Sequence, residues 1–189
     1  MYNSLASLPF VPYNILTYLA KNNETIWKMI KYNGYDALSH SDLSFDEKLS
    51  YVWKEGKQEE YSVFFTNLIE DAICESKCIL KIYDYYIHAR PSVYVATPVY
   101  AFEFLFGGKM SLVEYNGVPC NRGDVFIHEI LNTLNGVEIG GIGKLVLSDD
   151  LSRYSATRAV IGNSKTFTGT VLYMATLMGD SGETMPCEN

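Results

Sequence analysis

The chain has 189 residues, a formal net charge of −7 and a hydrophobic fraction of 48%. This length and composition are typical of one folded domain and exclude a disordered chain. The acidic balance excludes specific nucleic-acid binding as the main task, because phosphate backbones repel negative surfaces, and no apolar run approaches the roughly 18 residues of a membrane span.

The N-terminal segment, residues 1–11, is predicted to be an extended arm. Pro9 and Pro12 fix the backbone φ angle and lack an amide donor, so they oppose an earlier helix start. We expect the arm to pack on a neighbouring subunit, because its apolar side chains have no element of their own to cover them. The interface residues predicted in this arm are Leu8, Phe10 and Val11.

Residues 12–56 are predicted to form a cluster of three helices. The apolar spacing of "YNILTYLAKN" and "ETIWKMIKY" is helical, and Asn23 is placed to cap the second of these helices. Ser44 and Glu47 match a capping box at the start of the third helix. Gly56 is predicted to end that helix as a C-terminal cap.

The body, residues 57–178, has mostly strand composition. "YSVFFTNL", "CILKIYDYY" and "VYVATPVYAFEFLF" are predicted as strands, whereas residues 67–75 fit either a helix or a turn. Pro98 predicts a sheet edge or a break between two strands. Gly107 and Gly108 predict a hairpin. One face of the last of these strands is aromatic, through Tyr100, Phe102, Phe104 and Phe106.

The last third contains an amphipathic helix at residues 122–135, a strand "IGKLVL" and a final strand "TFTGTVLYMATLM". Residues 148–166 form a long polar connection that is either a solvated loop or a contact to an acidic neighbour, through Arg153 and Arg158. Residues 179–189 are predicted to be a flexible tail. The whole pattern predicts one α+β domain, with a helical cluster followed by a mostly antiparallel sheet and one long helix packed on it.

The residues of catalytic or metal chemistry do not form a recognisable site. His128 and Glu129 resemble a zinc-protease pair, but Asn132 stands where the second histidine is needed. Cys74 and Cys78 have a spacing that zinc sites use, but buried, reduced thiols are the favoured interpretation. We therefore expect a protein that is not an enzyme and has no catalytic residues, no cofactor and no metal.

Two long stretches resemble the neck proteins of tailed bacteriophages, which close the head–tail connection. The first is "YLAKNNETIWKMIKYNGYDALSHSDLSFDEKLSYVW". The second is "VYVATPVYAFEFLF…VPCNRGDVFIHEILNTLNGVEIGGIGKLVL", followed by "FTGTVLYMATLM". The resemblance implies a sheet with helices on one side, repeated as a ring between the head and the tail. It leaves open a tail terminator or a head-side adaptor.

The resemblance also implies the partners. The chain is expected to be made in the host cytoplasm and to join itself in a ring, six-fold rather than twelve-fold. Its further contacts are a portal or adaptor protein and a tail-tube or other neck protein. Genome DNA passes through an acidic lumen without specific binding. Two other classes remain open: a small cytoplasmic enzyme or ligand-binding domain with a site in the aromatic sheet, and an adaptor that binds a host protein.

Overall fold

The computed structural model describes residues 8–69, 71–89, 96–139, 143–147 and 167–176. The fold is α+β, as predicted. Three N-terminal helices and one longer helix pack against a five-stranded sheet. A separate two-stranded sheet is formed by the part of the chain just before the longer helix.

The N-terminal helices are α1 (Val11–Asn22), α2 (Thr25–Lys31) and α3 (Phe45–Ser50). Two of their predicted caps are confirmed. The side-chain oxygen of Asn23 accepts a hydrogen bond from the amide of Ile26 at 2.9 Å, at the start of α2. The Ser44 hydroxyl accepts one from the amide of Glu47 at 3.2 Å, at the start of α3.

The predicted end of α3 at Gly56 is wrong, because the helix stops at Ser50. The following residues join the sheet instead: Val52 forms a parallel bridge with Val63, and the Trp53 amide donates to the Val63 carbonyl at 2.9 Å. Glu47 does not complete the capping box, because its carboxylate pairs with Lys31 at 2.5 Å.

Charged side chains hold the three helices together. The Lys48 ammonium is almost fully buried, donates to the Ala20 carbonyl at 2.8 Å and pairs with Glu24. Lys28 pairs with Asp42 at 2.7 Å. A buried ammonium is stable only where such partners replace its water.

The main sheet has the strand order β1-β2-β3-β7-β6. Its members are β1 (Val63–Phe64), β2 (Ile79–Ala89), β3 (Ala96–Gly107), β6 (Leu145–Val146) and β7 (Phe167–Thr176). Only β1 runs parallel to its neighbour, and the other pairings are antiparallel. The ambiguous segment, residues 67–75, holds all but the last residue of α4 (Asp71–Ser76), which lies in the crossover that a parallel β1–β2 connection needs.

The aromatic face of β3 forms the main core, as the alternation predicts. Its aromatic side chains point toward α5 (Arg122–Leu134), and Phe104 stacks on Phe126 with ring centroids 4.7 Å apart. On the opposite face, Leu105 packs in a smaller cluster with Phe64 and with Ile73 of α4. The core-facing aromatic residues are Tyr100, Phe102, Phe104 and Phe106.

The first of the two alternatives predicted for Pro98, a sheet edge, is confirmed. Pro98 lies inside β3 opposite Ile87, with no β7 partner on its other side, because the pairing of β3 with β7 begins at the next residue, Val99. The hairpin predicted at Gly107–Gly108 is wrong. The strand does not turn back at Gly107–Gly108, since both of its edges are already occupied by β2 and β7.

The chain instead enters a 3-10 turn (Gly108–Met110) and forms its own two-stranded sheet from β4 (Leu112–Tyr115) and β5 (Val118–Asn121). Asn116 and Gly117, with φ of 52° and 80°, make the connecting turn. An Asn-Gly pair suits a tight hairpin turn because both positions need a positive φ.

Candidate functional site

The predicted interface residues of the arm differ in their surroundings. Leu8 to Phe10 form a 3-10 turn that leads directly into α1, so residues 8–11 are helical and not extended. Pro12 permits this because it lies in the first turn, where its missing amide proton has no helical partner. Val11 is fully buried in the core of its own chain, Leu8 is half-buried against that core, and Phe10 is 64% exposed.

Of the three predicted interface residues in the arm, Phe10 is therefore the one presented to solvent. Tyr13, one helical turn further on, is 49% exposed. The Tyr13 ring lies 6.2 Å from that of Phe65, edge to face. We call Phe10, Tyr13 and Phe65 the Tyr13 face. Sequence reasoning missed Tyr13 and Phe65, although the absence of charged side chains in residues 1–20 was a usable signal.

The other predicted interface residues, Arg153 and Arg158, lie outside the described residues, as do residues 179–189. Their role as contacts to an acidic neighbour stays a prediction.

The most extensive polar site is built around Arg122, which is fully buried at the start of α5. Its guanidinium reaches the carboxyl end of α2, where helix carbonyls lack partners and a positive charge is favoured. The sulfur of Cys78 lies 3.6 Å from the same group. The carbonyl acceptors, with their distances, are Met29 (2.9 Å), Tyr32 (2.9 Å), Asn33 (3.3 Å) and Gly34 (2.8 Å).

The cysteines of the C-x3-C pair lie in separate environments. Cys74 is buried in the small cluster under α4, and Cys78 is buried beside Arg122 just before β2. Burial raises the pKa of the Cys78 thiol to about 11, although the nearby Arg122 charge opposes this shift. Both are buried thiols, and no group of three or more His, Cys, Asp or Glu residues in the described ranges is placed to hold a metal ion.

A second buried ion pair lies on the sheet face opposite the main core. Lys81 of β2 pairs with Glu103, its cross-strand neighbour on β3, and Lys81 also donates to the Asn67 carbonyl at 3.4 Å. Burial raises the pKa of the adjacent Tyr83 hydroxyl. The pair connects two strands, and Lys81 also connects them to the segment before α4. These charges therefore have a structural role.

His128 and Glu129 of α5 do not form a metal site with each other. Both oxygens of the Glu129 carboxylate accept hydrogen bonds, from the Asn23 amide at 2.7 Å and the Tyr115 hydroxyl at 2.8 Å. The bond to Glu129 is the main reason that the pKa of Tyr115 is raised. Glu129 thus ties α5 to the α1–α2 turn and to β4.

A shallow cleft of about 320 Å³ lies between the turn after α2 and the β4–β5 hairpin. Its carboxylates, Asp36 and Glu114, belong to exposed residues. The aromatic sheet residues proposed as an alternative site fill the core instead. The cleft is lined by Thr25, Asp36, Leu38, Ser39, Glu114, Tyr115, Asn116 and Gly117.

None of the helices in the described ranges combines the length and the apolar character needed to cross a membrane. No curated protein and no solved structure matches the chain. A family model does match, over residues 23–176, which is about four fifths of the chain and includes α2 to α5 and the seven strands of the described residues. This family, YomW, is derived from Bacillus phage (an SPbeta-like prophage gene), and the chain belongs to it.

Proposed function

We propose that this phage-encoded protein is a non-enzymatic component of the virion that forms a ring in the neck. The ring joins the head, through a portal or adaptor protein, to the tail tube or another neck protein. Two findings support the proposal: the membership in a phage-derived family and the α+β architecture with its helices packed on one main core.

The observation that carries the proposal is the use of buried charge. Three charged residues are buried in the described part of the chain: Lys48, Lys81 and Arg122. Each one bonds groups from at least two different elements, and none lines the cleft. Enzymes keep perturbed ionisable groups in clefts, whereas here the buried charges fix the relative positions of helices and strands. This placement supports a structural role for these charges.

The acidic composition fits a ring through which DNA passes. A lumen that carries part of the −7 charge of each copy repels phosphate, so the genome moves through without specific binding. We propose a ring of six copies rather than twelve. The contacts between copies then have to overcome the repulsion of like-charged subunits.

Deletion of the gene in the phage tests the function directly. We expect DNA-filled heads and separate tails to accumulate, because the joint between them is missing, and electron microscopy of the lysate counts both. Supplying the wild-type gene in trans should restore joined, infectious particles. Normal yields of joined particles without the gene would show that the protein is not part of the neck joint. A matching check is mass spectrometry of purified particles, which should find the protein in stoichiometric amount.

A further inference from the structure

The chain contains three Asn-Gly pairs, at residues 33–34, 116–117 and 135–136, and all six residues are exposed. An asparagine in such a pair deamidates without an enzyme, because glycine has no Cβ atom to shield its backbone nitrogen. That nitrogen bonds to the asparagine Cγ atom, and the side-chain amide leaves as ammonia with the glycine amide proton. Water then opens the five-membered imide, which gives aspartate, or isoaspartate when water attacks the backbone carbonyl.

The reacting groups of the Asn135–Gly136 pair are both held by hydrogen bonds. The Asn135 side-chain oxygen accepts from the Leu147 amide at 3.1 Å, and the Gly136 amide donates to the Leu145 carbonyl at 2.7 Å. Ring closure at this pair therefore requires that two bonds to the segment around β6 break first.

The Asn33–Gly34 pair is held in a different way. The Asn33 side-chain amide donates to the Ser76 carbonyl at 3.2 Å, and the Arg122 guanidinium donates to the Asn33 carbonyl at 3.3 Å. The second bond fixes the peptide unit between Asn33 and Gly34. That unit must rotate to bring the glycine nitrogen to the side chain, so two bonds oppose the reaction here as well.

The Asn116–Gly117 pair is free of such bonds. It forms the two-residue turn between β4 and β5. In the part of the chain that the structure describes, the Asn116 side chain and the Gly117 amide have no hydrogen-bond partner. The space around Gly117 is open, since a Cβ atom built there would meet no atom within 4 Å. Opening this turn therefore breaks none of the bonds that protect the other two pairs.

A charge at position 116 would change the cleft. Asn116 lines it together with Asp36 and Glu114. An aspartate has an ordinary pKa of about 3.9 and is ionised at neutral pH, so each conversion adds one negative charge and takes the net charge from −7 to −8. An isoaspartate also lengthens the backbone by one carbon atom, in a turn that has only two residues.

We infer that Asn116 is a site of spontaneous deamidation in the folded protein and that it reacts ahead of Asn33 and Asn135. Water is the only co-reactant. The inference is independent of the proposed ring, because it depends on the hydrogen bonds within one copy of the chain.

The test follows all three pairs in the folded, full-length protein during incubation in mildly alkaline buffer, where loss of the amide proton assists the attack. Trypsin cleaves after Lys and Arg and places the three pairs in separate peptides. Mass spectrometry then measures the exchange of each side-chain amide for an acid. We expect Asn116 to convert at least about tenfold faster than Asn33 or Asn135, because each of these must first break two hydrogen bonds.

The same incubation in urea is the control for local sequence. Asn33 and Asn116 both follow a tyrosine and precede a glycine, so they should convert at similar rates in the unfolded chain. Asn116→Gln, checked for folding by circular dichroism, should lack the fast conversion, because its longer side chain would have to close a six-membered ring. Equal rates at Asn116 and Asn135 in the folded protein would overturn the inference. Conversion of Asn116 in urea but not in the folded protein would overturn it too, by showing that the hairpin turn protects the amide.

Discussion

At the scale of single residues, Arg122 has the largest number of polar contacts described in the fold. Replacing it by Ala removes the guanidinium donor from the buried Met29 carbonyl and from the partly buried Tyr32 carbonyl, whereas the Gly34 carbonyl still accepts from the Ala37 amide. We expect the free energy of unfolding to fall by about 3 kcal/mol or more, as measured by urea denaturation. Arg122→Lys should recover only part of this loss, because a single ammonium lacks the planar fork that reaches several carbonyls.

Lys109→Ala, which removes an exposed lysine, is the matched control and should change stability by less than about 0.5 kcal/mol. An Arg122→Ala loss no larger than that of the control would mean that water replaces the guanidinium at the end of α2. The role assigned to Arg122 would then be wrong.

The buried thiol of Cys78 leads to a prediction of how the free energy of unfolding depends on pH. Burial raises the pKa of its thiol from the ordinary 9.0 to about 11. Between these values the unfolded chain loses the proton while the folded chain keeps it, so the free energy of unfolding falls as the pH rises from about 9 to about 11. The full effect is up to about 3 kcal/mol and is absent below pH 9.

Cys78→Ala removes this titration, and its stability should therefore decline less steeply over the same pH window. Burial also raises the pKa of Tyr100, but that hydroxyl is present in both proteins and cancels in the comparison. Urea denaturation at several pH values gives the two slopes. Identical slopes would show that the Cys78 thiol is deprotonated as easily in the folded protein as in the unfolded chain.

At the scale of elements, local chemistry was enough to predict the caps, faces and helix spans that depend on residues close in sequence. The cap at Ser44, the aromatic face of β3 and the span of α5 follow from side chains within a few residues of each other. The end of α3 did not, because Val52 is drawn into a bridge with Val63.

Pairing between distant strands is the other part that could not be predicted. The doublet Gly107–Gly108 has the composition of a hairpin, but β7, about 60 residues later, already occupies that edge of β3. The interface residues show the same limit. Proline chemistry predicted an extended arm, whereas packing in the core of the same chain buries Val11 and leaves Phe10 exposed. Nothing in the spacing of residues 12–69 indicates that Phe65 lies beside Tyr13.

The β3–β7 pairing itself depends on Gly169. A Cβ atom at this position would overlap the Leu105 side chain and lie 2.7 Å from the Phe104 carbonyl oxygen on the neighbouring strand. Gly169→Ala should therefore force the strands apart and lower the free energy of unfolding by about 1–3 kcal/mol. Thr168→Ala, the neighbouring position on β7, is the control and should cost less. Equal losses in urea denaturation would mean that the sheet yields at Gly169 without strain.

At the scale of the whole molecule, the family match begins at residue 23, whereas the core begins earlier. Ile15, Leu16 and Leu19 of α1 are fully buried in the same core as α2, β3 and α5. The helix that carries the Tyr13 face is thus an integral part of the fold.

Arg153 and Arg158 give the complementary prediction, in which opposite charges hold the register of the ring. Reversing both to Glu changes the net charge from −7 to −11, since each reversal removes one positive charge and adds one negative charge. We expect ring formation to weaken most at low salt, because the Debye length is about 10 Å at 0.1 M and about 3 Å at 1 M ionic strength. Reversing the exposed Lys54 and Lys109 makes the same change in net charge and separates a local contact from general repulsion. Sedimentation at several salt concentrations should show a larger defect for the arginine pair, and equal defects in the two double variants would place the contact elsewhere.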